Sequence, residues 1–363
     1  MTIAQNQSAA TLASNTGYDS QPEGGGIVRG FSISVDWLDF TFRSVTCAVE
    51  ADQLVREFET ISGERCMFAP GKSAFNGIAW DGSGWGENGS KIWYRDPHDD
   101  EFGDRIPGAL KIAIPGSAIA KIDPMELGTW LSVHASETDV DCQRFDIALD
   151  DHEKFVKLGQ IADARIGGNF FNCSYTEMIV SGKRGELEGV TLYFGSRHSD
   201  TRLRIYDKTI ESKSRICGNR WEAQLRRKKA QAAFELWLSA IPKGEPVVCR
   251  VLQNIVLGII DFRIRDDDDT DRNRCRPLIW FTNLLSNLRA CPARLAIAKV
   301  EQSAQKSINW IKKSVAPTML TLKKILGADF KTFMAESMFD ALSGLSIAKQ
   351  MMIDSTDKKQ LLY

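Results

Sequence analysis

Gly189-Val-Thr-Leu-Tyr-Phe-Gly-Ser-Arg-His-Ser199, Arg202-Leu-Arg-Ile-Tyr-Asp-Lys208 and Arg220-Trp-Glu-Ala-Gln-Leu-Arg226 form the stretch whose reading decides the fold. The second and third runs alternate with period two, so each is expected to be a strand. Leu203, Ile205 and Asp207 share one face of the second run, and Arg202, Arg204, Tyr206 and Lys208 share the other. In the third run Trp221, Ala223 and Leu225 oppose Arg220, Glu222, Gln224 and Arg226. If the two polar faces meet, a phenol, a carboxylate and several cations converge on one surface. That mixture suits phosphate chemistry.

The charge balance points the same way. Over the whole chain the formal net charge is -1, which gives no global sign of a polyanionic partner. Residues 202 to 229, however, hold ten Lys or Arg against three Asp or Glu. A basic patch on a neutral protein is enough to bind phosphate. A further strand is expected at Arg144-Phe-Asp-Ile-Ala-Leu-Asp150, with Phe145, Ile147 and Leu149 inward and Asp146, Ala148 and Asp150 on the other face. Two carboxylates flanking a small residue leave room for a cation, although spacing alone favours a solvated strand face.

Gly-Ser-Arg-His-Ser, then Arg-Ile-Tyr-Asp-Lys, then Arg-Trp-Glu-Ala-Gln-Leu-Arg together resemble the signature of the Rep_trans family. Its members are rolling-circle replication initiators of plasmids and filamentous phages, with relatives among conjugative relaxases. The resemblance runs from about Ser32 to about Ala240. It implies an α+β fold in which a central antiparallel sheet with packed helices carries the site, as in rolling-circle nucleases. It also implies that Tyr206 is the nucleophile and that Asp146 and Glu222, with Asp150 as second choice, hold a divalent metal, Mg2+ or Mn2+.

Residue chemistry fits those roles. A tyrosine oxygen can attack phosphorus and later leave, conserving the energy of a cut strand as a 5′-phosphotyrosyl link. Free tyrosine is mostly protonated at neutral pH, so Arg204, Lys208 and a metal are expected to favour the phenolate. Arg197 is expected to clamp a phosphate. Arg202, Arg220, Arg226, Arg227, Lys228 and Lys229 are expected to contact the DNA backbone. The implied partner is origin DNA, single-stranded or extruded as a hairpin, assisted by a host helicase and polymerase; a homodimer is also compatible. A conjugative relaxase is the near alternative. A regulator that binds DNA without cutting it, and a general metal-dependent nuclease, are the alternatives from other classes.

The rest of the chain sets limits. Residues 1 to 30 are taken as a disordered arm, 31 to 245 as the catalytic domain, and 246 to 363 as a mostly helical C-terminal region. Pro70-Gly71-Lys72-Ser73 hints at a phosphate loop, but the glycine such a loop needs five residues earlier is Cys66. Residues 69 to 95 are therefore expected to be hairpin loops. Asp36 and Asp39 fall on opposite strand faces by parity. Five aspartates within Asp266 to Asp271 lack the spacing of a calcium loop and suggest a solvated turn. Helices are expected at Ala48–Ile61, Pro124–His134, Phe155–Arg165, Leu278–Leu288, Ala293–Lys313 and beyond. Eight cysteines without a C-x-x-C argue against a zinc ribbon or a secreted disulfide framework. No segment is apolar enough to span a bilayer and no leader is evident, so a cytoplasmic protein with no membrane partner is expected.

Overall fold

A computed structural model describes residues 30–342 apart from 76–77, 100–102, 104, 138, 185, 214–216, 266–270, 294, 296–310 and 312–314. The expected N-terminal arm, most of the aspartate-rich turn and nearly all of the helix expected at Ala293–Lys313 lie outside the described residues. The chain divides into two compact units, Met1–Ile297 and Ala298–Tyr363. In the second unit, helices Ala316–Leu326 and Phe330–Leu342 are described, and Gly327–Asp329 forms a single 3-10 turn between them.

The first unit is organised by its sheet. Its strands are β1 (Phe31–Val45), β2 (Cys66–Phe75), β3 (Ile78–Gly86), β4 (Lys91–Arg95), the short β5 (His98–Asp99) and β6 (Arg105–Ile106), and β7 (Gly108–Pro115). They continue with β8 (Val140–Asp151), β9 (Thr176–Lys183), β10 (Glu186–Phe194), β11 (Thr201–Asp207) and β12 (Asn219–Arg226). Ten of these form one antiparallel sheet in the order β2-β3-β4-β7-β1-β8-β12-β11-β10-β9, while β5 and β6 pair separately. The α+β reading from the sequence therefore holds, with β12 and β8 at the centre of the site-bearing half.

One face of the sheet is covered by helices. These are α1 (Ala48–Ser62), α2 (Gly116–Ile119), α3 (Pro124–Glu137), α4 (Leu158–Ile166), α6 (Arg227–Ala240), α7 (Glu245–Gly258) and α8 (Ile279–Asn287), while the single turn α5 (Lys208–Glu211) lies by the other face, where a Cβ on Gly189 would stand 3.7 Å from Ile210. The alternating apolar residues of the strands meet them. Phe40 and Phe42 of β1 pack edge-on against Trp130 of α3. Phe145 of β8 meets Phe234 and Trp237 of α6. Trp221 of β12 and Phe194 of β10 both meet Phe262. These side chains are essentially fully buried apart from Trp130, so each contributes roughly 1.5–3 kcal/mol relative to exposure. The burial holds the strands in register, which fixes what stands on the other face.

Residues 69 to 95 depart from the expected hairpin loops: they supply most of β2 and all of β3 and β4. The reason lies in the glycines of Gly82-Ser-Gly-Trp-Gly86. A Cβ on Gly86 would stand 1.9 Å from the Glu64 carboxylate, and one on Gly82 would stand 2.3 Å from the Tyr94 ring. Here glycine admits a neighbour's side chain against the strand rather than breaking it. Glu64 is 1 % exposed, and its carboxylate accepts from Ser90 Oγ at 2.7 Å and from the Asn88 amide at 3.1 Å.

Candidate active site on the open sheet face

Strand register assembles the site. Across β11 and β12, Arg202 faces Gln224, Arg204 faces Glu222 and Tyr206 faces Arg220. Across β12 and β8, Gln224 faces Asp146, Glu222 faces Ala148 and Arg220 faces Asp150. Residues directly opposite in a sheet share a face, so all of these stand on the side away from the helices of the core, with only the turn α5 beside them. Ala148, opposite Glu222, puts only a methyl group between the two aspartates of β8.

At the centre, Tyr206 Oη donates to Glu222 Oε2 at 3.4 Å, and Arg204 Nη1 donates to the same oxygen at 3.3 Å. The Arg204 guanidinium lies 3.9 Å from the centre of the Tyr206 ring, and Lys208 Nζ lies 5.7 Å from it. Tyr206 is only 3 % exposed. Burial and then the Glu222 charge hold its phenol above the ordinary value of 10, against the opposing charges of Arg204 and Arg220. Here the structure departs from the expectation that nearby cations favour the phenolate. Desolvation wins because the phenolate would be formed inside the packed layer.

Asp146 is 1 % exposed. Its Oδ2 accepts from Arg144 Nε at 3.0 Å and Nη2 at 2.5 Å, while Oδ1 is buried with no hydrogen-bond partner. Burial lifts the carboxyl from 3.8 to about 7, against Arg144 and with help from the charges of Glu222 and Asp36. Between those values the folded chain binds more protons than the unfolded one, so this group makes stability fall as pH rises from about 4 to about 7. Asp146→Asn should remove that slope. Thermal melts of metal-free protein should show the variant gaining on wild type between pH 4 and pH 8; a pH-independent difference would count against the assignment.

Among the described residues, no three His, Cys, Asp or Glu side chains come together as a metal cluster. Asp146 and Glu222 are diagonal neighbours on adjacent strands, and the bare Oδ1 of Asp146 is an oxygen without a partner. Mg2+ and Mn2+ suit oxygen donors, and Mg2+ in particular is commonly held by one or two carboxylates with waters and a phosphate completing its shell. This pair fits that requirement. Asp150 differs in being held by a charged fork, its two oxygens accepting from Arg220 Nε at 2.7 Å and Nη2 at 2.8 Å, whereas Glu222 Oε1 accepts from the neutral Gln224 amide at 2.7 Å and Oε2 takes only the two long bonds above.

Arg220 is likewise committed. It is 8 % exposed, and its Nη1 donates to Asp36 Oδ1 at 2.8 Å. That geometry makes it an internal brace rather than the backbone contact expected from the sequence. Arg197 is not brought to Tyr206. It pairs with Glu177 at 3.1 Å, near Arg202, which also pairs with Glu177 at 3.0 Å. Arg202 and Tyr206 are four residues apart on β11, about 13 Å at ordinary strand rise. Arg226 and Arg227 stand at the same far end; they donate to the Arg197 carbonyl at 2.8 Å and to Asp200 at 2.7 Å. Lys228 is exposed there, and Lys229 turns to the Leu295 carbonyl. Lys208 pairs with Glu211 at 2.6 Å.

Asp36 is the residue that sequence reasoning missed. A register shift between Val35 and Trp37 in the pairing of β1 with β8 breaks the parity on which its exclusion rested. Burial raises its carboxyl above 3.8, against the charge of Arg220, while the charges of Glu222 and Asp150 add to the rise. His152, which follows Asp150 closely in sequence, bonds Ser32 Oγ at 2.8 Å and the Cys217 carbonyl at 3.1 Å instead of joining the carboxylates.

Three comparisons bear on this arrangement. Residues 140–338 match the family model for the replication initiation factor, Rep_trans. A protein of Bacillus subtilis (strain 168) described as "Putative DNA relaxase NicK" is 26% identical over 202 residues, which cover 51% of this chain and 53% of that protein. The chain thus spans about half the length of the curated relative it matches. The solved rolling circle replication initiator protein from Geobacillus stearothermophilus superposes with a TM-score of 0.53 at 21% identity, covering 74% of this chain and 100% of that one. That likeness establishes the fold. The family match spans β8 through β12, the strands that carry Asp146, Tyr206 and Glu222, and on it the chain belongs to the replication initiation factor (Rep_trans) family of rolling-circle initiators and relaxases.

Proposed function

We propose that this protein nicks and rejoins one strand of origin DNA through a covalent bond to Tyr206. The observation that carries the reading is the Tyr206 hydroxyl 3.4 Å from Glu222, on the same sheet face as the unpartnered Asp146 Oδ1. The phenolic oxygen attacks phosphorus, the bond from phosphorus to the 3′ oxygen breaks, and the 5′ phosphate stays on the protein. Glu222 Oε2 is the acceptor within reach of the phenol proton, and the leaving 3′ oxygen gains a proton. Asp146 and Glu222 would hold Mg2+ or Mn2+. A bound ion would supply positive charge to a non-bridging phosphate oxygen and offset the Glu222 charge that, after burial, raises the phenol. Arg204 and Lys208, packed by the Tyr206 ring, are the cations that would meet the phosphate. The freed 3′ hydroxyl would prime a host polymerase, with a helicase opening the duplex. We place the nicking domain at residues 31 to 245.

The test is incubation of the protein with a labelled single-stranded origin oligonucleotide and Mn2+, followed by a denaturing gel. A band of protein linked to the 3′ fragment through its 5′ phosphate is expected, with the 5′ fragment released. Glu222→Ala should lower nicking by about 10²–10⁴-fold while oligonucleotide binding stays within a few-fold. Retained nicking with ordinary metal dependence would remove Glu222 from the site. The burial of Tyr206 favours a second reading, a DNA-binding regulator without chemistry. It predicts binding with no adduct at any metal concentration.

A further inference from the structure

Three arginine–aromatic stacks stand on the open sheet face. Arg144 of β8 lies 4.1 Å from the ring centre of Trp37 on β1. Arg202 of β11 lies 3.7 Å from that of Tyr193 on β10. Tyr206 is on β11 as well, with Arg204 over it, and its hydroxyl reaches Glu222 on β12, the strand between β8 and β11 in sheet order. Trp37 faces Asp146 directly, and Asp146, Gln224 and Arg202 continue one row across β8, β12 and β11. That row spans three strand spacings, about 14 Å. On the other side, Tyr193 faces Arg204 and is a diagonal neighbour of Tyr206.

The same face carries four buried polar atoms without a hydrogen-bond partner: Trp37 Nε1, Asp146 Oδ1, Arg202 Nε and Arg204 Nε. Buried polar atoms are ordinarily satisfied, so a cluster of this kind marks where a polar ligand or ordered water belongs. Trp37, Tyr193, Arg144 and Arg202 are all half-buried rather than sealed, so part of each stack is accessible. Arginine planes and aromatic rings are both surfaces on which nucleobases stack, and cations between them follow the backbone.

We infer that the Trp37/Arg144 and Tyr193/Arg202 stacks are two base-stacking platforms that hold single-stranded DNA on either side of the phosphate presented to Tyr206. This rests on the nicking reading only for the place of the phosphate; the platforms themselves rest on the stacks and the unpartnered atoms. Binding at them tolerates many sequences, because every base has a flat face. The strand crosses the β-strands of the sheet rather than running along one of them.

The test uses the full chain carrying Tyr206→Phe, so that the oligonucleotide stays uncut, and measures binding by fluorescence anisotropy over a salt series. Trp37→Leu and Tyr193→Leu should each weaken binding about tenfold with an unchanged salt slope, and Trp37→Phe should bind within about threefold. Arg144→Gln should weaken binding and also flatten the slope. Leucine variants that melt normally and bind within twofold of their parent would overturn the inference. A second readout does not depend on those variants folding. 2-Aminopurine placed in turn on each side of the nick position should be quenched on binding, and no quenching at any position would equally overturn it. Adduct formation by the wild-type protein on the same oligonucleotide is scored separately. Platform-dependent binding without adduct supports the platforms and sinks the nicking reading. Adduct without platform dependence does the reverse.

Discussion

A Tyr206→Phe protein should bind origin oligonucleotide and form no covalent adduct with it. The change removes one oxygen. The ring stays in place, with the Arg204 guanidinium still 3.9 Å from its centre and its surroundings still packed. The lost hydrogen bond is the long one to Glu222 Oε2 at 3.4 Å, and that oxygen keeps Arg204 as a donor. Stability should therefore change by no more than about 1 kcal/mol, as for one neutral donor. Loss of a nucleophile, in contrast, costs on the order of 10⁶ in rate, which puts the adduct below detection. The measurement is a denaturing gel of both proteins with labelled oligonucleotide and Mn2+, beside thermal melts. Equal adduct yield would move the nucleophile elsewhere.

Arg220→Ala should be the most damaging single change to stability on the open face, at roughly 3–5 kcal/mol. Arg220 stands between two carboxylates and bridges them. Both oxygens of Asp150 accept from it, and Asp36 accepts its remaining nitrogen. The side chains of Arg220 and Asp150 are 9% and 8% exposed, so water does not replace the lost partner. Arg220→Lys should recover only part of the loss, because one ammonium cannot reproduce the planar fork. Urea unfolding of the three proteins provides the comparison. An alanine variant as stable as wild type but weak in DNA binding would restore the backbone-contact role expected from the sequence.

The parts of this molecule legible in its sequence are those where alternation runs undisturbed. β8, β11 and β12 place Asp146, Tyr206 and Glu222 on one face because each strand keeps period two across the core. Arg197 shows where chain order misleads. It lies nine residues before Tyr206, yet the turn after β10 carries it to the Arg202 end of the sheet, beside Glu177. Tyr193 shows the converse. No cation stands two residues to either side of it, but Arg202 reaches it from the next strand. Contacts across strands depend on register, which residues far along the chain set. The glycine-rich strand β3, and β4 paired with it, escaped notice for another reason: the glycines leave room for neighbours, and apolar periodicity does not record room.

The irregularity at Val35–Trp37 reaches beyond this one protein. Val35 opposes Ile147 and Trp37 opposes Asp146, so Asp36 is skipped in the pairing with β8. A relative that closed this irregularity at unchanged length would turn the residues on one side of it over, and it could still be written residue for residue without a gap. Functional equivalence along this strand must be judged from hydrogen-bonded partners on β8, with Trp37 opposite Asp146 as the fixed point.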